Sequence, residues 1–320
     1  MQTPLYKGIC GLVMGWWAML AASPACAQPA RSVLTGVVVD AASGQPVPFA
    51  VVELRRLALG VQATEQGAFL LELPATLAVS DSLQVSSLGF ETTAAALPKA
   101  SALRVALRRL AVALPEAVVR PAAPLVRLGP TVNGTQFGFS GGAKLTAERA
   151  LGWQVARKFT DAPAGTVQAV RFYVKPGIHC SKTSLRAPFR VRLYAANGPA
   201  GAPGTDLLLA SVVTHAPAAG WHEVDLSAYR IPVPAAGFYV AMEWLYTNAD
   251  FGCNYTYTSA NKERKASYNY GQTLGGYLGP ASPPCWYLSA GYPWQVFRPV
   301  QDYANLGYLS AAIQALVQPN

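Results

Sequence analysis

The chain has 320 residues, of which 13% are charged and 52% hydrophobic, and a formal net charge of +9. Low charge with ample apolar content excludes a chain that is disordered throughout, and at roughly 100–200 residues per domain the length allows one long domain or two ordinary ones. The 28 glycines and 25 prolines fall short of a low-complexity composition and suit many short strands joined by turns.

Read from the N-terminus, Lys7 precedes an apolar stretch from Ile9 to Ala22, and Ala25-Cys26-Ala27 supplies small residues at a cleavage site. This is the pattern of a secretory signal over residues 1–27, cut before Gln28. The stretch is short of the roughly 20 residues that span a bilayer, and no later run is long enough either, so no transmembrane segment is expected in the mature chain. Retention of Cys26 as a lipidated first residue is the alternative, against which Pro24 argues. Export implies the periplasm, the outer-membrane surface or the extracellular space. It leaves Cys180, Cys253 and Cys285 in an oxidising compartment. One bridge and one spare thiol are expected, with Cys253–Cys285 favoured because both lie in aromatic-rich loops. His179-Cys180 is adjacent and no CxxC occurs, so neither a metal site nor a cofactor is expected.

Residues 31–110 read as strands with period two. Val33 to Val39 ends at the turn Asp40-Ala41-Ala42-Ser43-Gly44; Phe49 to Leu54, Ala68 to Leu73, Leu83 to Ser86 (continued by Leu88-Gly89-Phe90) and Leu103 to Leu107 follow. Alternation of Leu103, Val105 and Leu107 with Arg104, Ala106 and Arg108 gives one face to a core and one to water. Short strands with turns about every 10 residues predict a small all-β sandwich.

Four stretches carry a family resemblance: Thr35-Gly36-Val37-Val38-Val39-Asp40, Gly44-Gln45-Pro46-Val47-Pro48-Phe49-Ala50, Thr64-Glu65-Gln66-Gly67-Ala68-Phe69, and Asp81-Ser82-Leu83 through Leu88-Gly89-Phe90-Glu91. In this order they resemble the carboxypeptidase regulatory-like domain, a transthyretin-like sandwich of seven-strand type. The resemblance implies a non-catalytic module that stands beside varied partners in exported bacterial proteins. The hydrolase it accompanies in carboxypeptidases needs a His and Glu close together and a distant His. Here His179, His215 and His222 are the only histidines, and His222-Glu223 forms neither HxxE nor HExxH.

Residues 111–150 read as a Pro/Gly-rich connector, an extended linker or bridging strand, with Pro115, Pro121 and Pro124 stiffening it. Leu114 to Arg120 also resembles the segment that follows this module in TonB-dependent receptors. A receptor barrel is excluded by length, since its many strands of roughly 9–11 residues exceed what remains. Gly138-Phe139-Ser140-Gly141-Gly142 matches G-x-S-x-G, but a nucleophile elbow needs a strand before it, a helix after it and alternating β/α structure around it. A glycine-rich turn is expected; a serine hydrolase using Ser140 with Asp206 and His215 is the enzymatic alternative.

Residues 151–320 again predict short strands: Thr166 to Lys175, Phe189 to Tyr194, Leu207 to Thr214, Gly220 to Leu226, the nearly unbroken apolar run Phe238 to Leu245, Trp286 to Leu288, Trp294 to Phe297, and a last strand within Ala304 to Val317. A larger, jelly-roll-like sandwich is expected. Phe189 to Tyr194, Pro203 to Leu208, Trp221 to Leu226 and Phe238 to Trp244 resemble the accessory sandwich domains of exported bacterial proteins, many of them similar to carbohydrate-binding modules.

Of 33 aromatic residues, 15 fall between Trp244 and Tyr308, ten of them tyrosine. Tyr255, Tyr257, Tyr268, Tyr270 and Tyr277, interleaved with Asn, Ser, Thr and Gly, are the candidate ligand-binding residues, because a tyrosine offers both a stacking face and a hydroxyl. The bland alternative is core and loop packing. The basic balance suits an anionic polysaccharide, while charges spread along the sequence argue against nucleic acid. The sequence therefore points to an exported, non-catalytic cell-envelope protein that binds a glycan or another envelope protein. A purely structural envelope component is the further alternative, and the oligomeric state is left open.

Overall fold

The computed structural model describes residues 32–57, 59–74, 77, 82–97, 102–110, 123–131, 135, 137–141, 152–259, 261–279, 283–289, 292–297 and 308–320. The signal expected over 1–27, and most of the connector expected over 111–150, lie outside these residues. The described chain is all-β: its helical pieces are single 3-10 turns, the longest being Lys182–Arg186. No helix among the described residues is long and apolar enough to cross a membrane.

The first sandwich uses β1 (Ser32–Asp40), β2 (Val51–Leu54), β3 (Leu59–Gln62), β4 (Ala68–Leu73), β5 (Ser82–Ser86), β6 (Thr93–Ala96) and β7 (Ala102–Leu107). One sheet has the order β4-β1-β7, with β1 antiparallel to β4 and parallel to β7; the other is the antiparallel sheet β3-β2-β5-β6. Period-two burial on β4 turns Phe69, Leu71 and Leu73 inward, where they meet Val38, Val52, Leu54, Leu83, Val85 and Leu107. Two details depart from the sequence reading. The strand ends at Ser86, because Gly89 turns at φ 82 and brings Leu88-Gly89-Phe90 across to bridge Arg109. Leu59–Gln62 and Thr93–Ala96 are strands that their composition did not announce.

The second sandwich begins inside the stretch expected to be connector. There β8 (Val126–Leu128) and β9 (Phe137–Gly141) pair with strands near the C-terminus. The rest are β10 (Gln154–Phe159), β11 (Gly165–Lys175), β12 (Phe189–Ala195), β13 (Val212–Thr214), β14 (Gly220–Asp225), β15 (Ile231–Pro232), β16 (Phe238–Trp244), β17 (Gly252–Thr258), β18 (Arg264–Gly279), β19 (Trp286–Leu288), β20 (Gln295–Val296), β21 (Tyr308–Ala311) and β22 (Ile313–Pro319). A sheet of order β13-β12-β16-β10-β19-β20 faces a larger one built on β17-β18-β11-β22-β8, to which β9, β14, β15 and β21 add. Val155, Phe172, Phe189, Val191, Val240, Met242, Leu274 and Ile313 fill the space between them. Of the expected strand Leu207 to Thr214, only Val212–Thr214 forms; the leucines before it run irregularly along the first sandwich.

Every residue of β16 is buried, as the apolar run Phe238 to Leu245 implied. Its inward residues Phe238, Val240, Met242 and Trp244 face the core. Its outward residues are covered too: Tyr239 and Ala241 pack with Tyr194 and Trp286, and Glu243 lies beneath the first sandwich.

Candidate functional site

The β17–β18 hairpin decides which of the five candidate tyrosines can act together. Its register pairs Gly252 with Tyr270, Asn254 with Tyr268, Tyr255 with Ser267 and Tyr257 with Lys265. Directly opposed residues share a face, so Tyr268 and Tyr270 lie on one side of the hairpin and Tyr255 and Tyr257 on the other. The five candidates named from the sequence therefore do not line one groove. Each of the two strands turns two of these tyrosines to one side, and the pairing register sets the two pairs on opposite faces.

Three of the five are absorbed by packing. Tyr270 is 1% exposed, stacks on Tyr246 at 4.7 Å, and its hydroxyl accepts a 3.0 Å bond from the Thr247 amide. Tyr268 is half-buried over Gly252, where a methyl would collide with its ring. Burial, aided by Tyr246 and Tyr270, pushes its phenol up to about 12. The Tyr277 hydroxyl accepts a bond from the Arg157 guanidinium, which also lies over the Tyr277 ring at 5.5 Å.

Tyr255 and Tyr257 remain accessible, and His179, weighed in the sequence only as a metal or hydrolase ligand, joins them. The His179 ring lies 4.9 Å from that of Tyr255 at an interplanar angle of 30°, and Tyr255 lies 6.2 Å from Tyr257 at 39°. His179 is exposed, Tyr257 is 38% exposed and Tyr255 between them is half-buried, so the row is open at its two ends. Ile178, 44% exposed, stands at its end.

His179 holds φ 63, a left-handed conformation that histidine adopts more readily than most non-glycine residues yet still at a cost of about 1–3 kcal/mol. Two ties hold it there. Cys180 is disulfide-bonded to Cys253 on β17, with Cα atoms 5.5 Å apart, and the Asn269 side-chain amide donates a 2.7 Å bond to the Ile178 carbonyl. The bridge corrects the expected Cys253–Cys285 pairing. Cys285 is a buried free thiol whose sulfur accepts a bond from the Ala311 amide at 2.7 Å, and burial pushes it up to about 12. The signal for His179 was present in the sequence only as its place beside a cysteine.

Ser140 sits within β9, paired with Thr273, and no strand-to-helix elbow surrounds its described neighbours. Its hydroxyl donates to the Asn269 side-chain oxygen at 3.2 Å, an amide acceptor that cannot serve as a general base. Asp206 is bound to Arg192 at 2.8 Å, and no hydrogen bond among the described residues joins Ser140, Asp206 and His215. No group of three His, Cys, Asp or Glu among the described residues could hold a metal ion.

A second concentration of polar side chains lies between the sandwiches. Glu243 is 0% exposed and its carboxylate accepts from Arg190 at 3.3 Å, Arg192 at 3.2 Å and, across the seam, the Gln62 side chain at 3.3 Å. Arg190 is 1% exposed, reaches the Pro48 carbonyl at 3.5 Å and lies over the Phe49 ring at 5.7 Å. Burial raises the Asp206 carboxyl against the pull of Arg192. Beside this network a cleft of about 720 Å³ runs along the seam, walled by Val47, Pro48, Leu88, Leu208 and Ile231. Exposed Leu110, Val213 and Tyr229 line it and its neighbouring clefts.

No family model matches the chain, and no curated protein does. Among solved structures, a clostridial cysteine protease after propeptide cleavage is similar with a TM-score of 0.38 and 11% identity, over 82% of this chain and 52% of that one. The chain thus spans about half the length of that structure, and a likeness at this level carries no argument about fold or activity.

Proposed function

We propose that the chain is an exported, non-catalytic cell-envelope protein that binds a glycan by stacking sugar rings on the His179–Tyr255–Tyr257 row. The observation that carries this reading is the row itself: three tilted rings, the outer two open to solvent, held in place by a disulfide and a buried asparagine. Sugar rings present apolar faces of C–H groups, which pack on aromatic faces while their hydroxyls stay wet. The first sandwich is read as the carboxypeptidase regulatory-like module, a non-catalytic companion, and residues 1–27 as the export signal. The protein then acts in the periplasm, at the outer-membrane surface or outside the cell.

A second reading has a protein partner seated along the seam. It is favoured by Leu110, Val213 and Tyr229, which stay exposed beside an apolar cleft.

A glycan array probed with residues 28–320 and with the Tyr255→Ala/Tyr257→Ala double variant tests the first reading. At about 0.5–1.5 kcal/mol per stacked ring, the double variant loses on the order of tenfold to a hundredfold in affinity. An array with no retained glycan, or retention that survives both substitutions, sinks it.

A further inference from the structure

Two segments far apart in sequence bring cations to the neighbourhood of the aromatic row. Residues 175–187 contribute Lys175, Lys182 and Arg186 with no acid; residues 248–267 contribute Lys262, Arg264 and Lys265 against Asp250 and Glu263. The Cys180–Cys253 bridge, the pairing of Lys175 with Thr273 and the packing of Lys182–Arg186 against β18 and the turn Ala249–Phe251 bring both segments to one end of the larger sheet. All of these cations except Lys175, which is half-buried, are exposed. Lys265 is directly opposite Tyr257 on the hairpin, on the same face as the aromatic row. Its ion pair with Glu263, at 3.2 Å, is between side chains 49% and 63% exposed, so solvent screens it. The two segments together carry six cations against two acids; Arg264, bonded to Thr256, lies on the other face of the hairpin, while Lys265 stands on the face of the row.

We infer that the ligand of the aromatic row is an acidic glycan, one whose sugars carry carboxylate or phosphate groups. This rests on the glycan reading above and names the class of glycan. The rings take the apolar faces of the sugars, and Lys265, with the cations of the bridged segment 175–187, takes their charges. A neutral glycan has no use for the surplus. A nucleic acid would use it, but the row offers one short stacking surface on a hairpin rather than a basic groove that tracks a backbone.

The experiment compares one uronate-bearing polysaccharide with the same polymer after carboxyl reduction, together with a phosphodiester-linked glycan polymer and a single-stranded oligonucleotide. Residues 28–320 are titrated against each at about 50 mM and 500 mM NaCl, a range over which the Debye length falls several-fold. The acidic forms bind more tightly than the reduced polymer, and salt weakens them alone. Lys182→Gln with Lys265→Gln weakens them by about threefold to tenfold, the range of two exposed ion pairs, and leaves the reduced polymer unchanged. Tyr255→Ala weakens acidic and reduced forms by the same factor. The stronger of the uronate and phosphodiester polymers identifies the source of the charge. Equal binding of the acidic and reduced polymers overturns the inference and leaves the glycan reading standing. No binding of any polysaccharide removes both, and preference for the oligonucleotide overturns the inference in favour of nucleic acid.

Discussion

Glu243 is the residue on which the two sandwiches meet. It occupies an outward position of β16, fully buried, and balances Arg190 and Arg192 of the neighbouring strand while Gln62 of the first sandwich bonds the same carboxylate. Removing one member of such a set leaves the others buried without their counter-charge, which costs about 3–5 kcal/mol. Glu243→Gln keeps the shape and removes the charge, so a loss of about that size in urea unfolding is expected; a loss under about 1 kcal/mol would show that the two arginines find water instead. In the sequence a glutamate inside the run Phe238 to Leu245 announced a polar group in a buried strand. Its partners were not legible, because they lie about fifty residues away on β12 and 181 residues away on β3.

At the scale of elements, the β17–β18 hairpin carries the proposed site and the disulfide carries the hairpin. The sequence reading placed Cys253 in an aromatic-rich loop, but Gly252–Thr258 forms β17, a half-exposed strand that its alternating Tyr and Thr residues suit. Which tyrosines share a face depends on register with the next strand, and which cysteines meet depends on which elements are neighbours. Cys285 follows β18 but turns its sulfur into the core beside Ala311; Cys180 follows β11, whose end pairs with β18. Cysteines 73 positions apart close a long loop, and their bridge stabilises by about 2–4 kcal/mol. Reduction of the folded protein is expected to lower its unfolding midpoint accordingly and to release His179 from Tyr255, weakening glycan binding. In residues 28–320, peptide mapping finds the Cys180–Cys253 cross-link. A thiol reagent meets no free cysteine until the protein is unfolded, and then one. Ready labelling of Cys285 in the folded protein, or a Cys253–Cys285 peptide, would contradict the described packing.

Across the whole molecule, the seam joins two sandwiches that the sequence separates by a proline-rich stretch. A stiff linker suggests independence, but the bond from Gln62 to Glu243 and the contacts of Arg190 with Pro48 and Phe49 make each sandwich part of the other's surface. Residues 28–320 are therefore expected to melt in a single calorimetric transition. A chain lacking residues 32–110 exposes the charged face of β12 and β16 and melts lower, by about 5 °C or more. Two separated transitions in the intact chain would mean that the seam contributes little.

Local periodicity was enough for the all-β class and for many of the strands. Alternation, turn residues and apolar runs act over a few neighbours and can be read along the chain. The second sandwich's reach back to Val126, the bridge between Cys180 and Cys253, the meeting of His179 with Tyr255, the approach of two cation-bearing segments to them and the burial of Glu243 emerge only on folding. Each joins residues tens to nearly two hundred positions apart, and strand register and sheet packing, rather than any local preference, bring such residues within contact distance.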